Sequence, residues 1–182
     1  MLKQIVNLFY ELGVLKFLKR SGWVTIGIKD GESVADHALR TAQIGYILAE
    51  LENYAKPDQV VTALVFHEIG ESRIGDLNTI SKKYLPKKNE LLAVKDQVGD
   101  LYPEILRNLK ALSGIKGQFG KILKDADLLE TALTAKEYMK SGYDTSSWLD
   151  NIKKELQTKT GRKLFQTILQ TDPHEWFKKM NI

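Results

Sequence analysis

Cysteine is absent from this 182-residue sequence. That excludes disulfides, zinc ribbons, iron–sulfur clusters and thiolate nucleophiles. Histidine is almost as scarce, with His37, His67 and His174 the three present. A metal site in this chain therefore uses imidazole and carboxylate donors. Long apolar runs are missing too: no stretch approaches the ~20 apolar residues of a membrane span. The N-terminus alternates apolar and charged residues and shows no signal-peptide cleavage site. A cytoplasmic protein without a membrane partner is expected. Charge of one sign is not in large excess, with 27 Lys and Arg against 23 Asp and Glu, net +4. The bases are spread, in small clusters at Lys82-Lys83, Lys87-Lys88 and Lys153-Lys154. Nucleic-acid binders concentrate such charge in a patch or stripe, so no nucleic-acid partner is expected.

What is present is a folding composition, 43% hydrophobic and 27% charged, in a length typical of one domain. One domain over 1–182 is expected. The periodicity is helical nearly throughout. Ile5, Leu8, Leu12, Leu15 and Leu18 recur at spacings of three and four and predict a helix over 1–20. Ser33, with Asp36 three residues on, reads as a capping box opening a helix to about Asn53. Pro57 suits the first turn of the next helix, which runs through Ile69. Gly70, Gly75 and Pro86 frame a broken region. A helix over 88–112 is interrupted near Pro103, an apolar helix spans about 121–140, and two or three more follow, broken near Gly161 and Pro173. The best strand candidate is the short Trp23–Ile28 run, which reads equally well as an irregular loop. The expected fold is all-α, a compact bundle of about six to eight helices.

Three stretches carry potential chemistry. His67 follows the apolar run Ala63-Leu64-Val65-Phe66 and precedes Glu68, Glu71 and Asp76. At a spacing of four, His67 and Glu71 share a face of a helix. Several carboxylates beside a core helix are costly to bury unless a cation or hydrogen bonds compensate. A divalent metal is one compensator; an exposed helix end neutralised by Arg73 and Lys82 is the other reading. His37 opens the helix after Ser33, where Asp36 suits the helix start. In Lys124-Asp125-Ala126-Asp127-Leu128-Leu129-Glu130, Asp127 lies near the apolar face of Leu123, whereas Asp125 is expected to be exposed. His174 reads as a surface residue. His and carboxylates on separate helices suit Co, Mn, Ni, Fe, Zn or Mg without selecting one.

These stretches resemble the HD-domain metal-dependent phosphohydrolases, and more closely their 5′-deoxynucleotidase branch, which includes oxetanocin-related hydrolases. The resemblance is carried by Gly22-Trp23 with Glu32-Ser33-Val34-Ala35-Asp36-His37, by His67-Glu68-X-X-Glu71 with Gly75-Asp76-Leu77, and by Lys124-X-Ala126-Asp127-X-Leu129-Glu130. It implies an HD-domain helical bundle with a motif-bearing core over about 22–140 and C-terminal helices over 145–180. It also implies one divalent metal on His37, His67, Glu68 and Asp127, with Glu71 the catalytic carboxylate. Asp76, Leu77, Asn78 and Thr79 become the nucleotide loop, Asp76 also serving catalysis. Trp23 becomes the aromatic that excludes the ribose 2′-hydroxyl, and Lys82 a phosphate contact. The implied reaction is hydrolysis of deoxyribonucleoside 5′-monophosphates by a homodimer. Another nucleotide phosphoester is an alternative substrate, and a low-turnover nucleotide- or metal-binding module an alternative role.

The chain departs from the family pattern in three places. The dyad is His67-Glu68 where the family has His-Asp. Gly22 stands where bacterial members place a phosphate-orienting Arg before the Trp, so Lys29, Arg40, Arg73 or Lys82 is expected to substitute. A Trp-X-Glu-Tyr-Glu stretch is not evident near Leu109–Ser113.

Overall fold

The computed structural model describes residues 1–85, 88–99, 101–114, 117–178 and 180. Among these the secondary structure is helical, with no strand beyond one isolated bridge between Lys19 and Ser33. The helices are α1 (Leu2–Leu12), α2 (Val34–Leu51), α3 (Pro57–Val65), α4 (Glu71–Ile74), α5 (Thr79–Tyr84), α6 (Lys88–Val98), α7 (Pro103–Gly114), α8 (Gly117–Lys140), α9 (Ser146–Glu155), α10 (Lys159–Gln170) and α11 (Glu175–Lys178). Eight have seven residues or more, which bears out the all-α expectation. The expected break at Pro86, and Lys87, lie outside the described residues.

The hub is α8, which packs against α2, α3, α7, α9 and α10. Its buried residues run all round it, from Ile122 and Leu123 through Asp125 and Ala126 to Leu129 and Ala135. A helix covered on several sides needs no single apolar stripe. Leu48 of α2, Leu64 of α3 and Phe165 of α10 complete the main core around it. Gly45 lets α2 and α3 meet closely, because a Cβ there would collide with the Leu64 side chain. A second apolar cluster joins Leu8, Ile69, Val94, Val98 and Leu109, and so ties α1, α6 and α7 beneath the 66–74 segment.

Several boundaries differ from the sequence expectation. The first helix stops at Leu12 and tightens into a 3-10 turn over Gly13–Lys16, so the chain reaches Arg20 in a non-helical path. Trp23–Ile26 is a 3-10 turn closed by Gly27 at φ 85, rather than a strand. Helix α3 ends at Val65, short of Ile69. Beyond it, bonds such as Ile69 N to Phe66 O and Glu71 N to Glu68 O span three residues, so His67 and Glu71 do not share an α-helical face. Gly161 does not break a helix: it sits in the first turn of α10, and the break falls at 156–158.

Asp125 is the clearest correction. It is fully buried rather than exposed, accepting from Gln157 N at 2.7 Å and from Thr158 N and Oγ1, each at 2.7 Å. The α9–α10 connection covers the face of α8 that local periodicity assigns to solvent.

Candidate active site

Local structure aims each side chain. Ser33 Oγ accepts from Asp36 N and the Asp36 carboxylate accepts from Ser33 N, the capping box expected from sequence. That box fixes the first turn of α2, which delivers His37 into the interior. His67 and Glu68 come from the turn after α3, Glu71 opens α4, and Asp127 projects from α8. Three distant segments thus converge. One donor atom from each of His37, His67, Glu68 and Asp127 lies within 4.8 Å of the others. A cation with bonds of ~2.0–2.2 Å sits among donors about 3–4 Å apart, so the cluster has the right scale.

The hydrogen bonding fits a metal as well. His67 Nδ1 faces Leu64 O at 2.6 Å, which places its proton there and leaves Nε2 as an acceptor. That Nε2 is buried without a hydrogen-bond partner and lies 3.4 Å from Glu68 Oε1. His37 Nε2 lies 3.2 Å from Asp127 Oδ1 and 3.8 Å from Glu68 Oε1. The longer arm of Glu68 therefore still reaches the cluster. The nitrogen and oxygen donors suit a borderline or hard divalent cation. Burial alone would depress His37, but Asp127 and Glu130 outweigh it and lift the imidazole to about 10. Burial would raise Asp127, yet hydrogen bonding and charge from His37 hold it well below the usual carboxylate range.

Glu71 is 3% exposed, and its Oε2 has no hydrogen-bond partner. Burial, then the charges of Glu68 and Asp76, push its carboxyl up to about 10. Asp76 is a clamp: Oδ2 accepts from Ser21 N at 2.5 Å, Oδ1 from Arg20 at 3.2 Å, and its backbone carbonyl from Ser21 Oγ. Asn78 caps α5 by accepting from Ile80 N and Ser81 N.

A cavity of about 460 Å³ adjoins this cluster. Its wall includes Trp23, Asp76, Leu77, Asn78, Thr79 and Lys82, the whole expected substrate set. Arg20, which bonds Glu68 at 3.1 Å, and Lys124, which faces Asp127 at 3.8 Å, place its inner end against the metal donors. The far wall comes from α9 through Trp148, Asn151 and Glu155. Trp23 stacks on Trp148 with centroids 5.3 Å apart.

Arg20 lines the cavity while paired with Glu68 and Asp76. Lys29 is exposed, Arg40 pairs with Glu130 and Glu137, and Arg73 pairs with Glu11, so of the four expected substitutes the cavity wall contains Lys82 alone. The signal for Arg20 in the sequence is its place three residues before Trp23. Glu130 was also missed, although its spacing of three from Asp127 puts both on one face of α8. Nothing in the sequence marks the α9 residues.

Glu32, His37 and Glu130 form a second close group of donors. Their charge is already compensated, because Arg40 lies on Glu130 and the Trp23 indole N–H is donated to Glu32 at 3.0 Å.

Known proteins resemble this chain in sequence and in fold. An HD domain matches residues 12–169. The 5′-deoxynucleotidase HDDC2 of Dictyostelium discoideum is 31% identical over 147 residues, covering 74% of this chain and 77% of that protein. The Homo sapiens protein of that name is 28% identical over 146 residues, covering 75% and 69%. A solved conserved hypothetical protein from Pyrococcus furiosus superposes with a TM-score of 0.79 at 30% identity, covering 91% of this chain and 99% of its own. A helical scaffold with this donor set defines a metal-dependent phosphohydrolase. The chain belongs to the HD-domain family, alongside proteins named 5′-deoxynucleotidase.

Proposed function

We propose that the chain hydrolyses deoxyribonucleoside 5′-monophosphates to nucleoside and phosphate, using one divalent cation on His37, His67, Glu68 and Asp127. The observation that carries this reading is the meeting of four metal-type donors with a cavity that is cationic at its inner end and aromatic on its wall. Its volume, about 460 Å³, suits one small ligand. The names of the relatives favour a deoxynucleotide.

When bound, the cation would supply Lewis acidity and a water of pKa lowered from ~16 towards ~7. The remaining work falls to the chain. Arg20, Lys124 and Lys82 attract and orient the phosphoryl oxygens. Glu71 handles a proton at its unpartnered Oε2, either from water or to the leaving oxygen. Asp76, with both oxygens engaged, acts by holding Arg20 and the Leu77–Thr79 loop in place. Trp23, fixed by Glu32 and Trp148, presents a rigid wall to the sugar and rejects a 2′-hydroxyl by shape. We also read the chain as a cytoplasmic homodimer of single-domain subunits. The exposed apolar side chains Leu2, Val6, Phe9 and Tyr10 on α1 are in keeping with an interface.

Phosphate release from paired deoxyribo- and ribonucleoside 5′-monophosphates, across the six divalent metals, tests the reading. Turnover of the deoxy series that EDTA abolishes, and that Glu71→Gln lowers by ~10²–10⁴-fold, is expected. No release with any of the metals would overturn it, as would full activity of Glu71→Gln.

A further inference from the structure

Behind the metal donors lies a buried hydrogen-bonded chain that no step of the proposed reaction uses. His37 and Glu130 are both fully buried. His37 Nδ1 is hydrogen-bonded to Glu130 Oε2. A carboxylate at Nδ1 holds the proton on that nitrogen when the ring is neutral, so the lone pair belongs to Nε2, the atom facing Asp127 and Glu68. It also fixes the plane of the ring, which otherwise turns about two side-chain bonds.

Glu130 is itself immobilised. Its Oε1 accepts from Arg40 Nε at 3.0 Å, Arg40 Nη2 at 2.9 Å and Thr134 Oγ1 at 3.0 Å. The forked guanidinium and the Thr134 hydroxyl thereby hold the carboxylate in one orientation, with Oε2 turned toward His37. Arg40 is anchored in turn by Glu137 at 2.7 Å. The order Glu137–Arg40–Glu130–His37 thus runs from the surface to the metal cluster through hydrogen bonds at every link. A general packing role does not require this order: a buried imidazole needs one acceptor, and a backbone carbonyl suffices, as Leu64 O does for His67.

We infer that Glu130 is a positioning residue for metal capture, acting through His37, and that Arg40 anchors Glu130 for that task. The inference rests on the metal reading of the His37, His67, Glu68 and Asp127 cluster. Carboxylates behind metal-ligating histidines typically change metal affinity by ~10–100-fold when removed.

Calorimetric titration of Mn²⁺ into the metal-stripped full chain tests it, with circular dichroism to confirm that each variant is folded. Glu130→Gln keeps the size and loses the charge; its Mn²⁺ affinity falls by ~10–100-fold. Glu32→Gln removes a neighbouring half-buried carboxylate that lies close to His37 without a hydrogen bond to it; its affinity stays within about threefold of wild type, below that range. Arg40→Leu, at a partly exposed position, changes affinity in the same direction as Glu130→Gln by a smaller factor, and decides the matter if Glu130→Gln fails to fold. Wild-type affinity in the folded Glu130→Gln or, in its place, Arg40→Leu protein overturns the inference. Equal losses in Glu130→Gln and Glu32→Gln overturn it too, since they would reflect nearby negative charge alone. Absence of Mn²⁺ binding by the wild-type chain would sink the metal reading itself, and the inference with it.

Discussion

Single residues in the cluster carry opposed protonation demands. His37 is held at about 10 by Asp127 and Glu130 against its own burial, so the metal-free protein keeps it protonated at neutral pH. A ligating imidazole has a free lone pair, so metal capture expels that proton. Glu71, pushed up to about 10, also holds a proton, and a nearby cation favours its loss. The sign follows: both groups bind protons more tightly without metal than with it, so metal affinity rises with pH from neutrality toward 10. Titration of Mn²⁺ at pH 7 in two buffers of different ionisation enthalpy should therefore report release of about one proton or more. Zero net release, with affinity flat in pH, would contradict these assignments. The residues concerned were largely legible in the sequence. His67, Glu68, Glu71 and Asp127 stand out because charge interrupts or borders apolar periodicity there, whereas His37 and the grouping of the five follow from the family resemblance. Arg20 and Glu130 did not stand out, because their meaning depends on partners 48 and 93 positions away.

Elements show where local patterning stops being sufficient. The helices of α2 and α3 begin where Ser33 and Pro57 predict, because caps are local chemistry. Their neighbours end where tertiary contacts decide. The 66–74 segment tightens into three-residue turns as it packs Ile69 into the second core. Helix α8 reads from sequence as one-sided and is in fact covered by α9 and α10, which is why Asp125 was misplaced. That junction makes a sharp prediction. A Cβ at residue 161 would collide with the Asp125 carboxylate and lie 2.9 Å from Thr158 Oγ1. Gly161→Ala should cost about 1–3 kcal/mol through overpacking, lowering Tm by several degrees while leaving metal affinity unchanged. An unchanged thermal melt would show that the α8–α10 contact is looser than described.

At the scale of the whole molecule, the fold serves to hold separated segments in one register. Helix α8 contributes Asp127 and Glu130 to the cluster on one side and anchors α10 through Asp125 on another. The 20–23 segment is tied to the 76–78 loop through Ser21 and Arg20, which joins two sides of the cavity. No helix among the described residues is long and apolar enough to cross a membrane. The mild positive charge acquires a narrower meaning, since Arg20, Lys82 and Lys124 line one small cavity while bases such as Lys29 and Lys83 do not. Everything functional in this account depends on one point in that architecture, the centre of the four donors. Crystals soaked with Zn²⁺ and measured at the zinc absorption edge test it directly. The account predicts one anomalous peak at ~2.0–2.2 Å from His37, His67, Glu68 and Asp127, lost in His67→Ala. A zinc-bound crystal whose only peaks lie elsewhere on the surface would contradict it.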